Sequence, residues 1–119
     1  MAELDVLNGA TIAFDLDGTL VDSAPDLIGT LNHLLREEGV APLPLAEARP
    51  FIGYGARNLL ERGFRAQGLS VAPEAMDQLF DRFIEHYNVH SADLTRPFPG
   101  VPEALQTLKG AGARLSVCT

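Results

Sequence analysis

An α/β architecture, in which a parallel sheet is interrupted after its first strand by an inserted helical bundle, is predicted by three observations. Residues 10–14 and 114–118 are short apolar runs rich in β-forming residues, the first almost free of charge, which suits strands buried on both faces of a parallel sheet. Between them, apolar residues recur at helical spacing in three separate stretches from roughly residue 20 to residue 90. A shorter helical stretch led by Pro102 then brings the chain to the second strand.

The elements can be justified in order. Ala10, Thr11, Ile12, Ala13 and Phe14 form the first strand, and the carboxylates of Asp15 and Asp17 sit at its carboxyl end. Ser23 followed by Asp26 resembles a capping box with Asp in place of Glu, and Leu27, Ile28, Leu31, Leu34 and Leu35 then form a helical stripe that stops at Gly39. Pro42 and Pro44 mark a break, and residues 45–49 make a short helical turn before Pro50. A second long helix is expected over residues 55–67, with Ala56, Leu59, Leu60 and Phe64 on one face and Gly68 as its stop. Pro73 opens a third, and its stripe of Met76, Leu79, Phe80, Phe83, Ile84 and Tyr87 is the clearest helical periodicity in the chain. The three stripes need one another to bury their apolar faces, so they read as a small bundle. Residues 88–100, polar and carrying two prolines, read as the return linker. Val101, Ala104, Leu105 and Leu108 then form a helix that stops at Gly110 or Gly112, and residues 114–118 form a second buried strand ending on Thr119. The expected division is a first part of the α/β core in residues 1–19, the helical insertion in 20–96 and the second part of the core in 97–119.

Asp15 and Asp17 carry the chemistry. In an extended segment residues i and i+2 project to the same side, so both can serve one reaction centre. Open α/β sheets place their ligand crevices outside the carboxyl ends of the strands, which is where this pair falls. Two like charges this close resist joint ionisation, and the remedies are a bound cation or a proton kept on one of them. An ionised carboxylate can attack phosphorus without a base, and a neighbouring carboxyl can protonate a leaving alkoxide. Mg²⁺, which binds through one or two carboxylates plus phosphate oxygens, would reduce the repulsion between nucleophile and phosphate dianion. The other reading of the pair is an acidic turn whose side chains bond only nearby backbone amides.

Composition narrows the function classes. The chain has 119 residues, 46% hydrophobic and 21% charged, which is ordinary for a soluble globular domain. A net charge of −7 provides no basic patch for nucleic acid or an anionic membrane. The apolar stretches are too short to span a bilayer, and the N-terminus lacks the basic and apolar regions of a signal peptide. The single cysteine excludes an internal disulfide, and a cytoplasmic location is the simplest expectation.

The run Asp15-Leu16-Asp17-Gly18-Thr19-Leu20-Val21-Asp22-Ser23 resembles the first motif of the haloacid-dehalogenase-like hydrolase superfamily, DxDGT after an apolar strand. The order of strand, helical insert, helix and strand resembles the subclass with a helical cap between its first and second motifs. Arg49-Pro50-Phe51-Ile52-Gly53-Tyr54-Gly55 and Pro97-Phe98-Pro99-Gly100-Val101 are similar to its phosphoglycolate-phosphatase-like members. The resemblance implies a Rossmann-like core, of which this chain would hold the first two parallel strands, and an inserted helical-bundle cap.

It also implies roles. Asp15 would be the nucleophile and a Mg²⁺ ligand, and Asp17 the general acid and base, reaching the metal through its backbone carbonyl. Thr119 falls where the second motif has a hydroxyl that hydrogen-bonds the transferring phosphoryl group, donating to a phosphate oxygen without adding charge. Thr19, within the first motif, would contact substrate. The Gly53, Tyr54 and Gly55 turn corresponds to the cap loop that contributes to substrate choice, although turn chemistry between helices explains the same glycines. Arg49 and Arg57 flank that loop and could bind a substrate carboxylate in bidentate fashion, or lie solvated on the surface. His33, His86 and His90 lack the spacing of a zinc site, and Cys118 reads as a buried strand cysteine.

The family's third motif, a Lys or Arg, and its fourth, one or two acidic metal ligands, lie downstream of the second. The chain is therefore expected to be the N-terminal portion of a longer phosphatase, with little activity alone. Two parallel strands do not make a stable covered sheet, so the core is expected to need absent strands, another chain or a swapped partner in a homo-oligomer. Three functional readings follow. The first is a Mg²⁺-dependent phosphomonoesterase acting on a small phosphorylated metabolite, with 2-phosphoglycolate preferred. The second is another member chemistry, a sugar-phosphate phosphatase, phosphomutase or pyrophosphatase. The third is a noncatalytic interaction module built from the helices.

Overall fold

The computed structural model describes residues 5–118. Its elements are β1 (Thr11–Phe14), β2 (Val21–Asp22), α1 (Ala24–Glu37), α2 (Leu45–Ala48), α3 (Ala56–Ala66), α4 (Pro73–His90), β3 (Arg96–Pro97), α5 (Val101–Gly110) and β4 (Arg114–Val117), with a 3₁₀ turn at Arg49–Phe51. They fall into two units: Ser23–Thr95 forms one, and the described residues before and after it form the other.

In the split unit, β1 pairs in parallel with β4, in the register Thr11 with Arg114 through Phe14 with Val117. This is the α/β arrangement expected from the two apolar runs. Burial departs from expectation, because β1 alternates exposed and half-buried residues instead of being buried on both faces. In a two-stranded ladder each strand is an edge, so one face can be covered while the other meets solvent. Cys118 is likewise exposed, not buried as expected. It lies one residue past β4, and its N–H still donates to the Phe14 carbonyl at 2.7 Å. A second, two-residue ladder pairs β2 with β3 in antiparallel fashion, Val21 opposite Pro97 and Asp22 opposite Arg96. The Phe98 N–H extends it to the Leu20 carbonyl at 3.1 Å.

In the helical unit the three predicted stripes meet. Ile28, Leu31, Leu34 and Leu35 of α1, Leu59, Leu60 and Phe64 of α3, and Leu79 and Phe83 of α4 form one buried cluster, joined by Leu43 and Ala48. Helix α1 ends in a Schellman turn, with the Gly39 N–H on the Arg36 carbonyl and the Val40 N–H on that of Leu35, and α3 ends likewise at Gly68 and Leu69. Asn32 closes the Pro42–Pro44 break from outside: its Nδ2 donates to the Leu43 carbonyl at 2.9 Å and its Oδ1 accepts the Leu43 N–H at 2.8 Å.

The expected capping box does not form. Ser23 is the N-cap of α1 but makes no side-chain cap bond, and its Oγ is buried without a partner among the described residues. Asp26 turns instead to the return segment, where its carboxylate accepts the N–H of Leu94, the N–H of Thr95 at 2.7 Å and the Thr95 hydroxyl at 2.6 Å. Three donors to one buried carboxylate outweigh a single reciprocal cap bond.

Candidate active site

The turn after β1 is fixed by its own backbone. The Leu16 carbonyl accepts the N–H groups of Thr19, Leu20 and Val21 at 3.3, 2.9 and 3.1 Å, and the Gly18 N–H donates to Val21 at 2.9 Å. Gly18 takes φ +77°, a left-handed conformation that glycine adopts without a Cβ penalty. Leu20, 9% exposed, anchors the turn from inside. Asp15 and Asp17 are exposed on either side of half-buried Leu16, so the apolar residue points inward and the carboxylates reach solvent. The Leu16 N–H donates to Asp15 Oδ1 at 2.9 Å, which restrains that side chain, and Asp17 forms a bridge with Val21. Thr19 is exposed at the end of the same turn. Asp15, Asp17 and Thr19 are thus all exposed on one short turn, whereas Thr119 lies outside the described residues.

The Asp15 carboxylate and the Asp17 backbone carbonyl are hard oxygen donors of the kind Mg²⁺ takes, in a number that leaves room for several waters. Among the described residues no group of three or more His, Cys, Asp or Glu side chains converges on a metal position. This donor set fits Mg²⁺ bound partly by water or phosphate.

The remaining candidates lie in the helical unit. Gly53 and Gly55 take φ +104° and +89°, and a Cβ at either would meet nothing within 4 Å, so backbone conformation and not close contact requires glycine there. Tyr54 between them is 67% exposed. Arg62, which sequence reasoning passed over, stands with its guanidinium carbon 5.2 Å from the Tyr54 ring and 5.8 Å from that of Phe51, within cation–π reach of both. Its only sequence signal is a place two helical turns after the loop. Arg57 donates to Asp77 Oδ1 at 2.8 Å and lies 4.5 Å over the Phe80 ring, so its guanidinium is committed to α4. Arg49 opens the 3₁₀ turn and is exposed.

Residues 12–119 match the haloacid dehalogenase-like hydrolase family. The whole chain is 56% identical to half the length of a phosphoglycolate phosphatase from Caulobacter vibrioides, 100% of this chain against 50% of that protein. It is 42% identical over 106 residues, 89% of this chain and 46% of its relative, to a phosphoglycolate phosphatase from Agrobacterium fabrum. A crystal structure of a predicted phosphoglycolate phosphatase from Haemophilus somnus superposes with a TM-score of 0.80 at 28% identity, over 95% of this chain and 52% of that one. The chain spans about half the length of the curated relatives it matches. With the DxDGT turn at the carboxyl end of a parallel strand and a family match running over all but its first 11 residues, the chain belongs to the haloacid dehalogenase-like hydrolases.

Proposed function

We propose that this chain carries the nucleophile and the acid of a Mg²⁺-dependent phosphomonoester hydrolase that works through an aspartyl-phosphate, with 2-phosphoglycolate as its substrate. One observation supports this reading above the others: two exposed carboxylates held in a self-bonded turn at the carboxyl end of a parallel strand. Family membership and the names of its relatives support the substrate class.

On this reading a carboxylate oxygen of Asp15 attacks phosphorus and the bond to the alkoxide oxygen breaks, while Asp17 in its acid form gives that oxygen its proton. Asp17, now ionised, takes a proton from water as the water oxygen attacks the acyl-phosphate, releasing phosphate and restoring Asp15. Asp15 and the Asp17 backbone carbonyl would hold Mg²⁺, which supplies charge neutralisation at the phosphoryl oxygens. Thr119 and Thr19 would donate hydrogen bonds to substrate, and the helical unit would act as a cap whose Gly53, Tyr54 and Gly55 loop, with Arg49, selects it. Arg57 is the weaker candidate, since substrate would compete with Asp77 for it. A cytoplasmic location accompanies a small-metabolite substrate. Because the chain spans about half of its relatives, little turnover is expected from the 119 residues alone.

The test is phosphate release from 2-phosphoglycolate and a sugar-phosphate panel by a full-length protein carrying this chain, with Mg²⁺ and with chelator. Activity on 2-phosphoglycolate that chelator removes and Asp15→Asn abolishes supports the proposal. Turnover retained in Asp15→Asn overturns the nucleophile, and preference for another ester overturns the substrate.

A further inference from the structure

The chain has three histidines, and all three stand in one stack. His33 of α1 lies ring to ring on His86 of α4 at 4.1 Å between centroids, and His86 on His90, one turn further along α4, at 4.4 Å. Nothing in the proposed hydrolysis uses them. The flanking groups divide unevenly. The outer rings have carboxylates, Glu37 Oε1 at 3.4 Å from His33 Nε2 and Asp93 Oδ2 at 2.7 Å from His90 Nδ1, whereas the middle ring makes no ion pair among the described residues.

We propose that the His33, His86 and His90 stack is a proton-sensitive clasp between α1 and the C-terminal end of α4, closed while the middle ring is neutral and loosened when His86 takes up a proton between its two neighbours. Two shallow cavities open beside His86, so water can deliver the proton without unfolding. The charged groups around it are known from each side. From α1 come Glu37, shared with Arg82, and Asp26, whose carboxylate is engaged by Leu94 and Thr95. From α4 come Arg82, which also pairs with Glu38, together with Glu85 and His90, and beyond the helix comes Asp93. No residue of α3 lines either cavity.

Burial holds the His86 imidazole below its ordinary value of 6.5, and His33 and His90 add to the shift, against weaker opposition from Glu37 and Asp93. A base whose folded value is lowered binds fewer protons folded than unfolded. Stability is therefore fully present above 6.5 and declines as pH falls below it, levelling off beneath the folded value.

Thermal unfolding of the 119-residue chain, followed by helical circular dichroism from about pH 7.5 to about pH 5, tests this over the range where histidine titrates. The expected result is a melting temperature that falls by several degrees on acidification, a fall that His86→Gln largely removes. A wild-type melting temperature that is flat or rises, or an equal fall in His86→Gln, overturns the proposal. Histidine ring NMR on the wild-type chain decides independently if that variant does not fold. A His86 ring that protonates only below the ordinary histidine value of 6.5 supports the clasp, and one that protonates at or above that value overturns it.

Discussion

Gly63 of α3 lies directly against Leu31 of α1: a Cβ built on Gly63 would stand 2.6 Å from both δ-carbons of Leu31. Leu31 is 0% exposed, so it has no solvent side to move toward. The two helices approach as they do because one side chain is missing at the crossing. Gly63→Ala gains about 1 kcal/mol of helix propensity but incurs an overpacking cost of about 1–3 kcal/mol, and with Leu31 enclosed the second term should win. The expected outcome is a lower urea midpoint. Adding Leu31→Ala to Gly63→Ala should then cost less than Leu31→Ala costs alone, because the new methyl partly fills the cavity.

Asp26 binds the end of the helical unit to its beginning. Its carboxylate meets donors 68 and 69 residues away in sequence, two of them backbone N–H groups. Asp26→Ala would leave those N–H groups without their acceptor and is expected to cost about 2–3 kcal/mol in urea unfolding. Thr95→Val removes the hydroxyl, which also reaches the Ser91 carbonyl at 3.0 Å, while leaving both backbone N–H donors to Asp26 in place, and should cost about 1 kcal/mol. In Asp26→Ala, amide exchange at Leu94 and Thr95 should accelerate more than exchange in α3.

Asn32 satisfies both backbone groups of buried Leu43, the donor and the acceptor. Asn32→Leu would keep the forked heavy-atom skeleton yet orphan the pair, with an expected loss of about 2 kcal/mol by chemical denaturation. Gln should not rescue it, because one more methylene displaces the amide from a site that uses both its ends.

How much of this was legible beforehand follows from the range of each interaction. Helix periodicity is local, so the stripe of Ala56, Leu59, Leu60 and Phe64 placed a helix over 55–67, against Ala56–Ala66 found, and Pro73 and Gly68 marked ends that backbone sterics enforce. Helix α4 nevertheless runs to His90, because polar Asn88 and exposed Val89 carry no periodic signal at a helix end. The two-residue ladder of β2 with β3 is too short for any alternation to show. Asp26 looked like a capping residue because its alternative partners are far away in sequence, and the bonds from Asn32 to Leu43 gave no local signal for the same reason. In the candidate site the spacing of Asp15 and Asp17 and the turn at Gly18 are local and were readable. The engagement of Arg57 by Asp77 and the seat of Arg62 by Tyr54 depend on how helix and loop meet, which no pattern within one element reports.

Arg82 of α4 spans the last turn of α1, donating to Glu37 at 3.1 Å and to Glu38 at 2.9 Å. The Arg82 hydrogen bond holds the Glu37 carboxyl below its ordinary value of 4.5, against a smaller opposing effect of burial. A carboxyl whose folded value is lowered binds fewer protons folded than unfolded, so its contribution is present above 4.5 and is lost as pH falls through the folded value. Arg82→Gln should therefore be less stable than the wild type at about pH 5.5, with the two urea midpoints converging toward about pH 3. The pair is partly exposed, so roughly 0.5 M NaCl should shrink the difference at the higher pH. A difference that persists unchanged at the lower pH and in salt would assign the effect to the aliphatic stem of Arg82 lying on α1, a loss of apolar contact and not of charge.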